Sequence, residues 1–351
     1  MTRAATNFGQ IDAAGHSAGE HTVLIGLSAA IVSVQEERPR VLVVHRGAPA
    51  RNQEESRAKR DGVADSLPFG NFDPLSHRTL ESGLRNWVQE QTGVQLGYVE
   101  QLYTFGDRGR HLACSGEGPR VVSVGYLALT RTPLERSGVL WRDWYMFFPW
   151  EDWREGAPAM IASQVIPSLR LFVDAAPNPE VRALRQDRIR LCFGSGSSGW
   201  DEEKVLERYE LLYEAGLVVE AQRDRGAVPP GEPIVPLGLS MEFDHRRILA
   251  TAMGRLRGKL KYRPVVFELM PGEFTLLELQ RTVEALSGVR LHKQNFRRLV
   301  EAQGLVERTG RMSHKTGGRP AEQFRFRREV LRERPAPGVR YGFGRATRPQ
   351  S

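Results

Sequence analysis

The chain has 351 residues, 40% hydrophobic and 26% charged, with two cysteines and a net charge of +8. That length exceeds the usual span of one hydrophobic core, so two or more domains are expected; Cys114 and Cys192 exclude a disulfide framework and a CxxC metal site, which fits a reducing, cytoplasmic setting. The charge is uneven: residues 241–351 hold 24 Lys/Arg against 11 Asp/Glu, a net +13, while residues 1–240 carry −5, so the last third reads as a module for a polyanion such as nucleic acid.

Residues 1–20 are small and polar and read as a disordered leader. The run from Val23 to Val34 is interrupted by Gly26 and Ser28 and is too short to span a bilayer, which predicts a buried strand and no membrane segment. "TVLIGLSAAIVSV" and "RVLVVHRG" form two strands joined by a polar turn, "QEERP". A charged loop and the turn-rich "LPFGNFDPLSH" lead to a helix over Thr79–Gln91, with Leu80, Leu84, Trp87, Val88 and Gln91 on one face and Gly93 as its C-cap. Two further strands follow at "VEQLYTFGD" and "RVVSVGYLALT".

Strand, strand, glycine-bearing loop, helix, strand, strand resembles the Nudix fold. The resemblance rests on "LPFG", "EQTGV" and "YTFGD…RVVSVGYLAL". The family's box, G-x5-E-x7-R-E-U-x-E-E-x-G-U with U aliphatic, aligned on Gly93 sets Phe72 at the box glycine and Arg78 at the first glutamate. Asn86 and Trp87 then stand at the Arg-Glu pair, and Glu90 and Gln91 at the Glu-Glu pair. Alignment on Gly70 puts Ser76 at the first glutamate, so that acid is absent either way and only Glu90 survives. Nudix hydrolysis needs carboxylates on one helical face to hold Mg²⁺ against a diphosphate and activate water. The helix therefore resembles a Nudix helix stripped of its catalytic acids, in a pocket that still binds or serves only as packing, with Trp87 as core.

The middle of the chain says less. "WRDWYMFFPWEDWREG" reads as core or a domain interface, "FGSGSSGWD" as a turn or linker, and "DEEKVLERYELLYEAGLVVEAQRD" as a helix, a stop at Gly216 and a short strand. "GAVPPGEPIVPLG" marks a boundary near residues 225–240.

The basic part is more explicit. "MEFDHRRILATAMGRLRGKL" is a helix starting near Asp244, and "TLLELQRTVEAL" opens with Thr275 and Glu278 at capping-box spacing and turns Leu276, Leu279, Val283 and Leu286 inward. The turn "SGVRLH" leads to "KQNFRRLVEAQG", with Phe296, Leu299 and Val300 inward and Gly304 at its end: a helix-turn-helix. "LVERTG" and "EQFRFRR" alternate as the strands of a wing around the tip "RMSHKTGGRPA". Gln294, Asn295, Arg297 and Arg298 on the outer face suit base edges and phosphates; Lys293, Arg311, His314, Lys315 and Arg319 suit the DNA backbone or minor groove.

Together these stretches closely resemble the Nudix-related transcriptional regulators of NAD metabolism, the NrtR type, over roughly residues 22–130 and 240–328. The resemblance implies an α+β protein: an N-terminal Nudix-like α/β/α sandwich with a mixed sheet over residues 21–235, including an unmatched extension at 131–235, a winged helix-turn-helix over 240–330, and a disordered tail from 331 to 351. It implies a repressor of NAD-synthesis genes that binds double-stranded DNA as a homodimer, with ADP-ribose as effector and no required cofactor. The expected effector contacts are Gly70, Phe72 and Glu90 from the box, with Arg46, Asp107 and Arg108 from neighbouring strand ends. The alternative is an active Nudix hydrolase with an accessory DNA-binding domain, which would need Mg²⁺ and carboxylates from elsewhere, such as Glu81 or Asp107.

Overall fold

The computed structural model describes residues 23–44, 65–107, 120–131, 138–194, 199–225, 237–313 and 320–333; the expected leader and most of the expected tail lie outside them. Six strands make the N-terminal sheet: β1 (Val23–Gln35), β2 (Arg38–Val44), β3 (Phe69–Asn71), β4 (Val99–Phe105), β5 (Arg120–Leu129) and β6 (Val139–Asp143). Their order is β4-β5-β1-β2-β6, with β3 also on β1. β1 and β5 are parallel and the other pairs antiparallel, so the sheet is mixed. β1 is long because it serves two partners in turn: residues 26–28 pair with β3 and residues 32–35 with β2.

β1 is apolar on both faces because both are covered. Leu27, Ala29 and Ile31 pack with Leu84 and Val88 of α1 (Leu80–Thr92), while Ala30 and Val32 join a larger core on the other side. Gly93 is the C-cap of α1 as the sequence leads one to expect, at φ 73°, while Thr79, expected as its first residue, is the N-cap and forms a reciprocal capping box with Ser82. The β1–β2 turn is tighter than "QEERP" suggests. Gln35 pairs with Arg38, leaving only Glu36 and Glu37, both at positive φ (47° and 62°), as a two-residue hairpin requires.

After β6, the aromatic stretch buries Trp144, Phe147, Phe148 and Trp150 completely, passing through short 3-10 turns at Trp144–Met146 and Pro149–Glu151. The extension is helical: α2 (Ile166–Asp174), α3 (Pro179–Phe193), α4 (Val205–Glu214) and α5 (Val219–Asp224). α3 starts with Asn178, whose side chain accepts from the Val181 amide at 2.8 Å, followed by proline at the first position. The short strand expected after Gly216 is instead α5. One helical turn buries Ala221 and aims Glu220 at Arg246, 3.1 Å away, which outweighs the β preference of Val218 and Val219.

The long helix α6 (His245–Tyr262) packs on β1, β4, β5 and α4, and also on α7 (Leu276–Ser287). β7 (Phe274–Thr275), α7, α8 (Lys293–Ala302), β8 (Val306–Ser313) and β9 (Ala321–Phe326) complete a winged helix whose sheet runs β7-β9-β8. One buried cluster extends from Ala30 and Val32 through Ile248 and Leu256 to Phe296 and Val300. Among the described residues no helix is long and apolar enough to cross a membrane.

Candidate functional site

The box loop is held by the two side chains that stand where acids were expected. Trp87 lies against Gly70, where a Cβ would fall 2.2 Å from the indole Cδ2, and its Nε1 donates to the Asn71 carbonyl at 2.8 Å. Gln91 Nε2 donates to the Phe69 carbonyl at 2.6 Å, while its Oε1 accepts from the Phe69 amide at 3.3 Å. An ionised carboxylate has no N–H to give, so neither position can be an acid and keep these bonds. Phe72 is half-buried, with its ring 5.8 Å from that of His77 and its amide donating to Ile25 at 2.7 Å. Glu90 is exposed on α1.

A Mg²⁺ ion bridging a diphosphate takes several oxygen ligands in a tight octahedron. Glu90 is the single acid at the positions that the resemblance assigns to the box, one ligand where the ion takes several. The two acids considered as substitutes are engaged elsewhere: Glu81 with Arg85 at 2.9 Å, and Asp107 with Arg247. Among the described residues no three His, Cys, Asp or Glu side chains are grouped to hold a metal. Because the indole is fixed by its own hydrogen bond, Gly70→Ala is expected to cost about 1–3 kcal/mol through overpacking. Urea unfolding measures this; a change below about 0.5 kcal/mol, the scale of a neutral surface substitution, contradicts the packing.

Asp107 lies at the same end of the sheet as the box loop, since Phe105 sits opposite Ser123, which is level with the residues of β1 that pair with β3. It faces α6 there. Arg247 of α6 gathers Asp107, Asp244 (3.1 Å) and Glu210 (2.5 Å), and its guanidinium lies 5.2 Å from the centre of the Phe105 ring. The adjacent His245 is buried. Its Nδ1 accepts from the Leu67 amide at 3.1 Å, its Nε2 lies 3.5 Å from Ser28 Oγ, and its ring meets Phe69 and Phe243 edge-on. The first turn of α6 is thus fastened beneath the box loop. In sequence "DHRRIL" reads only as a helix start, and the one mark of a further role is the arginine pair Arg246–Arg247 at the N-terminus of a helix, where the macrodipole disfavours cations. Gly70 and Phe72 lie in and beside β3, Glu90 is on the exposed side of α1, Asp107 turns towards α6, and Arg46 and Arg108 lie outside the described residues.

In the winged helix, the Thr275 hydroxyl accepts from the Glu278 amide at 3.2 Å and the Glu278 carboxylate accepts from the Thr275 amide at 2.7 Å. α8 buries Phe296 and Val300 and exposes Lys293, Gln294, Asn295, Arg297 and Arg298. Arg297 is tied to Glu301 at 3.1 Å. Among the described residues no hydrogen bond or ion pair engages the side chains of Lys293, Gln294, Asn295 or Arg298. The strands of the wing differ: Arg311 pairs with Glu273 (3.0 Å), Arg308 with Glu322 (3.3 Å) and Arg325 with Glu307 (2.5 Å). His314, Lys315 and Arg319 lie outside the described residues. Exposed pairs of this kind are worth below about 1 kcal/mol each, so they screen the arginines without locking them.

Residues 266–326 match the family model described as the NrtR DNA-binding winged helix domain. Over 90 residues the sequence is 42% identical to the ADPR responsive transcriptional repressor NtrR of Acinetobacter baylyi, covering 26% of this chain and 36% of that protein. The chain thus matches about a third of the length of this curated relative. Among solved structures, it is similar to Shewanella oneidensis NrtR complexed with a 27mer DNA, with a TM-score of 0.49 and 20% identity over 88% of this chain and 95% of that one. It is also similar to a MutT/nudix family protein from Enterococcus faecalis, with a TM-score of 0.47 and 17% identity over 88% and 89% of the two chains. The matched residues 266–326 hold β7, α7, α8 and the two-stranded wing in that order, so it is this part of the chain that is similar to the NrtR winged helix family.

Proposed function

We propose that the chain is a DNA-binding transcriptional repressor of NAD-metabolism genes, acting in the cytoplasm as a homodimer and controlled by ADP-ribose or a related nucleotide. In this reading residues 21–235 sense the effector and residues 240–330 bind DNA. The observation that carries it is the outer face of α8, where Lys293, Gln294, Asn295 and Arg298 stand exposed and unengaged on a helix whose other face is buried in the core. Asn295 and Arg298 read base edges; Lys293, Arg297 and the wing cations Arg311, Lys315 and Arg319 neutralise phosphates. The effector assignment takes support from the relative, which is named as responsive to ADPR.

The sensor domain binds without hydrolysing, because Trp87 and Gln91 spend their N–H groups on the box loop where carboxylates would have to hold the metal. The test is a mobility shift on promoters of NAD-synthesis or salvage genes from the source genome, with and without ADP-ribose, alongside ADP-ribose turnover in Mg²⁺ and Mn²⁺. Selective binding that ADP-ribose alters, with no turnover, is the expected result. Binding no tighter than to random duplex overturns the repressor reading, and turnover of about 1 per second or more makes the chain an active hydrolase.

A further inference from the structure

The recognition helix follows a turn that the rest of the chain holds by its carbonyls. A helix leaves its last carbonyls without intrahelical partners, and those at the end of α7 are taken by groups from outside the helix-turn-helix. The Tyr145 hydroxyl donates to the Ala285 carbonyl at 2.7 Å, Arg257 Nε donates to Leu286 at 3.1 Å, and the Trp153 amide donates to Gly288 at 2.7 Å. Gly288 is at φ 77°, and a Cβ there would lie 2.5 Å from the Glu151 carbonyl and 2.9 Å from the Tyr145 hydroxyl. No other residue type can make this approach.

Behind these donors lies a charge cluster with no access to water. Glu151 accepts from Arg257 at 2.7 Å and from Arg208 at 2.6 and 2.8 Å, with all three side chains wholly buried. Arg257 uses all five N–H donors: on Leu286, on the Glu151 carboxylate and carbonyl, on Glu202, and on the Tyr145 hydroxyl. Burial holds the Tyr145 hydroxyl above its ordinary pKa, so it stays protonated and able to donate. An arginine with every donor used, on a buried anion, is held in a narrow range of geometry.

We propose that Tyr145, Arg257 and Glu151 are positioning residues for DNA recognition: together with the Trp153 amide they set the angle of the turn at Gly288, and hence the direction in which α8 presents Asn295 and Arg298. This gives the stretch from β6 into the extension, for which the sequence offered no role, a part in sequence readout. The proposal rests on the DNA-binding reading above.

The test uses the full chain. A duplex is first selected by the wild type from a random-sequence library, and its affinity is compared with that of a scrambled duplex of equal length for wild type, Tyr145→Phe and Gly288→Ala. Tyr145→Phe keeps the ring and removes one hydrogen bond, so the selected-to-scrambled ratio is expected to fall about fivefold, with scrambled binding and its salt dependence unchanged because charge carries them. Gly288→Ala is expected to lower the ratio further; should it not fold, Tyr145→Phe decides. A purely structural role lowers the folded fraction and weakens both duplexes equally, leaving the ratio intact, and that result overturns the proposal while the repressor reading stands. A library from which the wild type selects nothing removes both.

Discussion

Glu151→Ala is expected to cost about 3–5 kcal/mol of folding stability, the range for removing one partner of a buried charge cluster. Its carboxylate is the shared counter-ion of Arg208 and Arg257, and removing it leaves two guanidiniums without an anion in a site closed to water. Arg257→Met should cost less, because Glu151 keeps Arg208 as its partner. The partly exposed pair of Arg154 and Asp152, at 2.7 Å, supplies a contrast: its carboxylate keeps contact with water, so Asp152→Ala is expected to cost less than Glu151→Ala. Urea unfolding followed by tryptophan fluorescence reports on the region directly, with Trp144 and Trp150 buried nearby. Equal costs for Glu151→Ala and Asp152→Ala would refute the cluster's importance.

On DNA, Arg298→Ala is expected to lower affinity for the selected site by about 1–3 kcal/mol and to relax preference at one base position. Arg311→Ala should act more weakly and on all sequences alike, because Arg311 already shares its charge with Glu273 at 3.0 Å. The same pairing gives an opposite sign for its partner. Glu273→Gln frees Arg311 and removes an acid beside the wing, so binding to every duplex should tighten a few-fold at low salt, and the gain should fade as salt rises. Fluorescence anisotropy over a salt series separates these cases. A wild-type preference that survives Arg298→Ala undiminished would take sequence reading away from α8.

How much of this was legible in sequence depended on how local the cause was. The helix-turn-helix could be read because its signals lie within a few residues of one another: Thr275 with Glu278, apolar residues at helical spacing, Gly304 at the end. The frame of α1 was equally plain from Thr79 and Gly93. In the extension α4 is legible in "DEEKVLERYELLYEAG", whereas α2 and α3 are not, although Asn178–Pro179 is a start signal of the same local kind. α5 was read as a strand because Val218 and Val219 favour one; Arg246, which turns Glu220 inward, lies 26 positions further on. The buried cluster was out of reach altogether, since Glu151 meets Arg208 and Arg257 at separations of 57 and 106 residues, and a glutamate in an aromatic stretch carries no mark of its partners. The box positions could be read as lacking acids, but only coordinates show what Trp87 and Gln91 do instead.

The helix α6 belongs to one half of the chain by order and to the other by surface. A cut in the proline-rich stretch before residue 240 looks natural on paper, yet the DNA-binding piece it releases carries Ile248, Leu249, Ala252 and Met253 away from the core that the sheet and α4 share with them. Ile248 lies so close above β5 that a Cβ on Gly125 would come within 3.0 Å of it. Dissecting the two halves therefore lays bare an oily stripe on one and an uncovered sheet face on the other, and such surfaces seek partners of their own. Whatever passes between the two halves has no hinge of loose chain to cross at this helix: its two ends are the two ends of one stiff rod.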